Sequence, residues 1–332
     1  MKKWIVVKIV ALSIAIIAVM GIMLGVIYLD ADGFPDRNSD NDTIPEIVER
    51  VSLLVTEVYK YSSYPLPIES DISYSHGNAS LDSLGIDIIY LDWINGHVEL
   101  KETDDVAISL YEDGSRSEEK QVHYRVVGNK LEIRYMGDNV KYSKNENKNL
   151  VISVPSKISK SFHRIELCTG SADVEVERIE SEYFLGDWGS GDYSVSECSF
   201  AQGVFDTGSG DLTFNGTADE FVFDSGSGKL DFYGQSDYFT ADSASGDIVC
   251  KFVKEPKKAS FDTGSGDAEM YLPEKINGFK VELDMGSGLF KTDFSVKQNE
   301  DEDEVIFGNG DKTSEIKFDS GSGNLSVAKF SQ

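Results

Sequence analysis

Phe205-Asp-Thr-Gly-Ser-Gly-Asp211 recurs, letter for letter, as Phe261-Asp-Thr-Gly-Ser-Gly-Asp267. Close variants surround this pair. They are Asp187-Trp-Gly-Ser-Gly-Asp192, Asp224-Ser-Gly-Ser-Gly-Lys229, Asp242-Ser-Ala-Ser-Gly-Asp247, Asp284-Met-Gly-Ser-Gly-Leu289 and Asp319-Ser-Gly-Ser-Gly-Asn324. A worn first copy reads Cys168-Thr-Gly-Ser-Ala-Asp173. The steps between first positions, from Cys168 to Asp284, are 19, 19, 18, 18, 20 and 22 residues, followed by one of 35 to Asp319. A period near twenty is the signature of stacked coils, each unable to bury its own core alone.

The residues flanking the phrase fall into columns. One place before the Asp stand Leu167, Gly186, Phe205, Phe223, Ala241, Phe261, Leu283 and Phe318; three places before it stand Ile165, Phe184, Gly203, Phe221, Phe239, Ala259, Val281 and Ile316. Beyond the corner, Val174, Tyr193, Leu212, Leu230, Ile248, Ala268, Phe290 and Leu325 repeat the pattern, followed two places on by Val176, Val195, Phe214, Phe232, Cys250, Met270, Thr292 and Val327. Apolar residues two apart on each side of a Gly-Ser-Gly corner predict two short strands per coil, with alternate side chains inward. The architecture that closes such a core is an all-β, single-stranded parallel β-helix, or solenoid, of roughly 18–22-residue coils. Positive φ angles at the corner glycines are the expected reason for their identity.

Upstream, Met1-Lys2-Lys3 precedes an apolar run reaching Leu29, long enough to cross a bilayer as a helix. With Lys2, Lys3 and Lys8 before the span and Asp30, Asp32 and Asp36 after it, the N-terminus is expected in the cytoplasm. The expected organisation is a cytoplasmic stub and transmembrane signal anchor over 1–29, an acidic linker over 30–43, an amphipathic helix over 44–60, and the solenoid over 61–332. That helix, with Ile47, Val51, Leu54, Val55 and Val58 on one face, is expected to cap the open end of the stack. Irregular coils are expected over 80–160, including the stretch after the Asn95-Gly96 turn, Asn129–Tyr135 and Leu150–Pro155, ahead of the regular ones over 165–330. The acidic run Glu300–Glu304 reads as a loop inserted at a corner, and the last coil reads as an open edge through which a second molecule can pair.

The net charge of −27 argues against nucleic acid as a partner. Three cysteines do not make a disulfide framework, and Cys250 sits in an inward column. Asp-Thr-Gly-Ser at Asp206 and at Asp262 spells the aspartic-protease signature, but that chemistry needs two carboxylates sharing a proton, and here the match follows from the repeat. Calcium is the more natural expectation. Asp206, Asp224, Asp242 and Asp262 would stack as one file, Asp192, Asp211, Asp247 and Asp267 would lie in a second, and hard cations prefer oxygen ligands; the alternative is that Asp and Ser serve their own turns and point to water. Lys229, Leu289 and Asn324 interrupt the second file. The four histidines show no metal-ligand spacing. Asn78, Asn215 and Asn324 open glycosylation sequons of the kind a Gly/Ser/Thr-rich chain produces by chance.

Taken with the Leu150-Val-Ile-Ser-Val-Pro155 lead-in and the N-terminal apolar run, these Gly-Ser-Gly-Asp turns resemble a bacterial family of unknown function described as putative adhesins. The resemblance covers about 150–330 closely and 80–150 more weakly. It implies a β-solenoid exposed outside a bacterial membrane, and it carries no catalytic residue. The expected function is a non-enzymatic, single-pass, membrane-anchored extracytoplasmic surface module with a glycan or protein ligand. An envelope-stress or signalling accessory acting through membrane partners is the alternative, and a carbohydrate-active β-helix enzyme the third.

Overall fold

A computed structural model describes residues 73–330, apart from 84, 138–139, 142–146, 277, 299–303 and 309–313. The expected anchor (1–29), linker (30–43) and amphipathic helix (44–60) lie outside the described residues. Among those described, no helix is long and apolar enough to cross a membrane. Their one helical segment is the single turn Glu118–Lys120; the rest is strand, corner and loop.

The repeat does fold as stacked coils. Strand Tyr193–Thr207 lies parallel to Leu212–Ser225, which lies parallel to Leu230–Ser243, with Phe205 opposite Phe223 and Asp206 opposite Asp224. Each coil enters the Gly-Ser-Gly corner on one strand and leaves it on another. A second corner returns the chain to the next coil. At that second corner Arg178 and Glu197 have φ of 55° and 54°, and Glu197 lies in a register shift between Ser196 and Cys198.

Columns two residues apart face inward because side chains alternate along a strand. The core they build is largely aromatic. Phe214 stacks on Phe232 at 5.3 Å and Phe221 on Phe239 at 5.2 Å, both with rings 2° from parallel. Across the interior, Phe214 meets Phe221 edge-on at 5.0 Å and Phe232 meets Phe239 likewise at 5.2 Å. Offset stacks along the coil axis and edge-to-face contacts across it are the arrangements that ring quadrupoles favour. The two glycines in the inward columns are space-makers: a Cβ on Gly186 would press on Tyr193 and Phe205, and one on Gly203 on Phe205 and Phe200.

Coil order in space departs from coil order in the chain at both ends. Strand Ile88–Thr103 pairs on one side with Phe162–Glu177 and on the other with Lys130–Arg134 and Lys148–Pro155. The first coil is thus sandwiched between two later ones. At the other end, Ser314–Ser320 and Leu325–Phe330 lie between the coil of Lys258–Thr263 and Ala268–Pro273 and the coil of Gly278–Met285 and Phe290–Thr292. Along Glu315–Ser320 and Leu325–Val327 the last coil therefore has both edges paired, in place of the expected open edge, while Ala328–Phe330 pairs on one side. The outermost coil is the Asp284 one, and it shows in its columns, where Leu283 and Phe290 are only half-buried.

Antiparallel strands cover the ends. Ala107–Glu112 lies on Lys148–Pro155, His123–Val127 on Lys130–Arg134, and Glu304–Gly308 on Gly278–Met285. Glu304, the last residue of the acidic run, thus opens a capping strand rather than belonging to an inserted loop; the remainder of that run lies outside the described residues. Such caps shield edges that would otherwise pair with other chains. Beneath the N-terminal cap a fully buried ion pair joins Lys148 Nζ to Glu112 Oε1 at 2.9 Å. The ammonium also lies 4.3 Å from the Tyr135 ring centre and 4.9 Å from that of Trp93. Glu112 Oε2 accepts the Val122 amide at 2.5 Å.

Candidate functional site

The Gly-Ser-Gly corners stack into one long edge, and this is where the predicted site residues fall. The leading acids form an in-register file: Asp187 opposite Asp206, then Asp224, Asp242, Asp262, Asp319 and Asp284. Asp92 and Cys168 extend it toward the N-terminal end. Every Asp in the file is exposed. Shelter by neighbouring corners, then the charges of Asp224 and Asp187, push the Asp206 carboxyl up to about 6. Partial burial raises Asp187 and Asp224 in the same direction.

The second acidic file does something different. Asp173 Oδ1 accepts the amide of Asp192 at 3.0 Å, Asp192 that of Asp211 at 3.0 Å, and Asp211 that of Lys229 at 2.8 Å. Asp247 accepts from Asp267 at 3.2 Å and Asp267 from Asn324 at 2.9 Å. Asn324 Oδ1 then accepts from Leu289 at 2.9 Å. Each carboxylate ties its corner to the next one along. Two of the three interruptions in the sequence pattern now make physical sense: Asn324 keeps the acceptor, and Leu289 belongs to the outermost coil, where no further corner needs one. Lys229 has no acceptor to offer, and its ammonium lies 4.0 Å from Asp247 Oδ2.

Where Thr207, Ser225, Ser243 or Ser320 follows the leading Asp, its buried hydroxyl accepts the amide of the corner's second glycine, as in Gly210 to Thr207 at 3.0 Å and Gly228 to Ser225 at 2.6 Å. The corner glycines themselves have no positive φ. That expectation is corrected. A Cβ on Gly210, Gly228, Gly246, Gly266, Gly323 or Gly288 would meet the carbonyl oxygen of the equivalent glycine in the adjoining coil, well inside the 3.0 Å that real Cβ atoms keep. Glycine is needed because backbones pass close together, not because of backbone dihedrals.

The residues expected to form a calcium ladder thus divide. Asp206, Asp224, Asp242 and Asp262 are exposed to solvent, whereas Asp192, Asp211, Asp247 and Asp267 commit an oxygen to the neighbouring backbone. Among the described residues, no group of three or more His, Cys, Asp or Glu side chains is placed to hold a metal ion. The protease-like pair is also kept apart. Asp206 and Asp262 are three coils from each other along the file, about 14 Å at the usual strand spacing, too far to share a proton. The cysteines are all free, with Cys198 and Cys250 buried and Cys168 part-exposed in the Asp file. Of the sequon residues, Asn78 Oδ1 accepts the Glu112 amide and Asn324 belongs to the corner ladder.

The family profile of Toastrack DUF4097 matches residues 86–328, most of the chain. The chain belongs to the Toastrack DUF4097 family. This agrees with the resemblance that the repeated turns carry. No curated protein matches it. Three crystal structures match this Toastrack protein at low identity. One is a putative adhesin from Bacteroides fragilis, 14% identical, with a TM-score of 0.47, covering 76% of this chain and 96% of its own. Another is a putative cell adhesion protein from Clostridium sporogenes, 14% identical, with a TM-score of 0.27, covering 77% and 100%. The third is a putative lipid binding protein from Parabacteroides distasonis, 15% identical, with a TM-score of 0.39, covering 79% and 98%.

Proposed function

We propose that this protein is a non-enzymatic surface module, anchored by its N-terminal apolar run in a bacterial membrane and displaying the solenoid outside the cell for adhesion. The observation that carries the reading is the corner edge. Exposed aspartates and serines stand there in register over successive coils, held by backbone-accepting carboxylates rather than gathered into a pocket. A stiff array of equivalent groups suits repetitive ligands such as glycans or matrix proteins, because many weak contacts add through effective concentration. The exposed carboxylates of the leading file favour a cationic or neutral ligand over an anionic one.

Residues 70–332 form one compact unit, so that fragment is the reagent for testing the proposal. Immobilised on beads, it should bind bacterial or host cells, glycans or matrix, and the Asp206→Asn/Asp224→Asn/Asp242→Asn variant should bind severalfold less. If the fragment binds nothing while the full chain co-purifies with a membrane protein through residues 1–60, the signalling-accessory reading replaces adhesion. Loss of a measured glycan-cleaving activity on removal of one carboxylate pair would instead make it an enzyme.

A further inference from the structure

Between Asp187 and Asp262 every coil stacks directly on its neighbour in the chain. After Asp262 it does not. The chain moves on to Gly278–Met285 and Phe290–Thr292 but leaves room for one whole coil, which Ser314–Ser320 and Leu325–Phe330 later fill. Without that segment, strand edges at 258–263 and 268–273 would face those at 278–285 and 290–292 across an open slot. Such edges are templates for pairing with another chain.

We propose that this slot is a segment-binding site, and that its second occupant, besides the chain's own end, is the 314–330 segment of another copy, giving strand-exchanged dimers. The fit is already on display. Ile316, Phe318, Leu325 and Val327 are buried in the slot. Thr263 Oγ1 donates to Ser320 Oγ at 3.1 Å, and the Asn324 amide nitrogen donates to Asp267 Oδ1 at 2.8 Å. In an exchanged dimer these same contacts form between chains. The exchange therefore loses no bond of the coil itself, and a reciprocal swap closes on a two-fold axis. The charge of −27 opposes the approach of two copies, so salt promotes the exchange.

The test uses full chains carrying Cys168→Ser; the other two cysteines are buried. Lys258 and Glu315 are register partners in adjacent parallel strands, a separation that suits a disulfide. Two differently tagged chains, one Lys258→Cys and one Glu315→Cys, are co-expressed, oxidised and pulled down through one tag. The expected result is a disulfide-linked heterodimer, severalfold above that from the mismatched pair Lys258→Cys with Ser326→Cys, and increasing with salt. The Lys258→Cys/Glu315→Cys double variant in one chain should close internally, which reports correct folding. Asp262→Cys with Asp319→Cys, a second register pair, repeats the measurement should the first fail to close within one chain. Heterodimer no higher from matched than from mismatched pairs, with both double variants closing internally or both matched pairs silent, overturns the proposal.

Discussion

Asp211 Oδ1 accepts the backbone N–H of Lys229 at 2.8 Å, one coil further along the stack. The same bond recurs from Asp173 to Asp192 and from Asp267 to Asn324. It turns what looks in sequence like a charge ladder into a set of inter-coil ties.

Asp211→Ala should therefore cost about 1 kcal/mol, the net value of such a hydrogen bond, whereas Asp211→Asn should cost much less because the amide oxygen still accepts. Leu289→Asp should be neutral to within about 0.5 kcal/mol, since it lies in the outermost coil and on the surface. Urea titrations of the three variants decide this. Equal losses for Asn and Ala at position 211 would refute the tie.

At Gly228 the steric account and the positive-φ account part company. Ala and Asn should be about equally damaging there, by roughly 2–4 kcal/mol, because either Cβ strikes the Gly210 carbonyl. Were a left-handed backbone the reason for glycine, Asn would be the milder of the two. Thermal melts of Gly228→Ala and Gly228→Asn distinguish the cases.

The Asp206 carboxyl titrates near 6 when folded, above its ordinary value of 3.8. Between those values the folded state holds a proton that the unfolded state has released, so this group's contribution to stability falls as pH rises from 3.8 to about 6 and stays lost above. Asp206→Asn should raise the melting temperature at pH 7 and lose that advantage by about pH 4. An advantage that grows on acidification would contradict the assignment. Asp187 and Asp224, raised by partial burial, should add to the same trend.

Breaking the buried Lys148–Glu112 pair should be severe. Lys148→Met alone leaves the Glu112 carboxylate in an enclosed site, with Arg116 Nη1 3.3 Å away. A loss of about 3–5 kcal/mol is expected for removing one partner of a buried pair, and less for Lys148→Met/Glu112→Leu. A double-mutant cycle by chemical denaturation measures the coupling, and additive losses would show that the two groups do not support each other.

Adding millimolar calcium after EDTA should move the melting temperature by about 1 °C or less, equivalent to a few tenths of a kcal/mol for a domain of this size. The carboxylates are strung along an edge rather than gathered round a point. A large upward shift would reveal a metal site and make adhesion calcium-dependent.

Much of the candidate edge was legible in the chain itself. The Asp-Thr-Gly-Ser-Gly-Asp phrase and its steps placed Asp206, Asp224, Asp242 and Asp262 in one file, and the inward columns named Phe214, Phe221 and Phe232 correctly. The division of labour between the two acidic files was not legible, because Asp206 and Asp211 look alike until the neighbouring amide is located. Coil order left a fainter trace. Thr292 and Leu289 are poor members of their columns, as terminal repeats tend to be, while Ile316, Phe318, Leu325 and Val327 read as interior residues.

Sequence alone determined a parallel solenoid, its corner, its inward columns and its outward acids, because each follows from local alternation and a fixed period. Tertiary structure decided which coil lies beside which. Every coil offers nearly the same backbone edges and apolar columns, so neighbours are almost interchangeable in pairing energy. The choice falls to the caps: hairpin strands cover the Asp284 coil and the coil of Lys130–Arg134 and Lys148–Pro155, and the chain's first and last coils fill the places left inside.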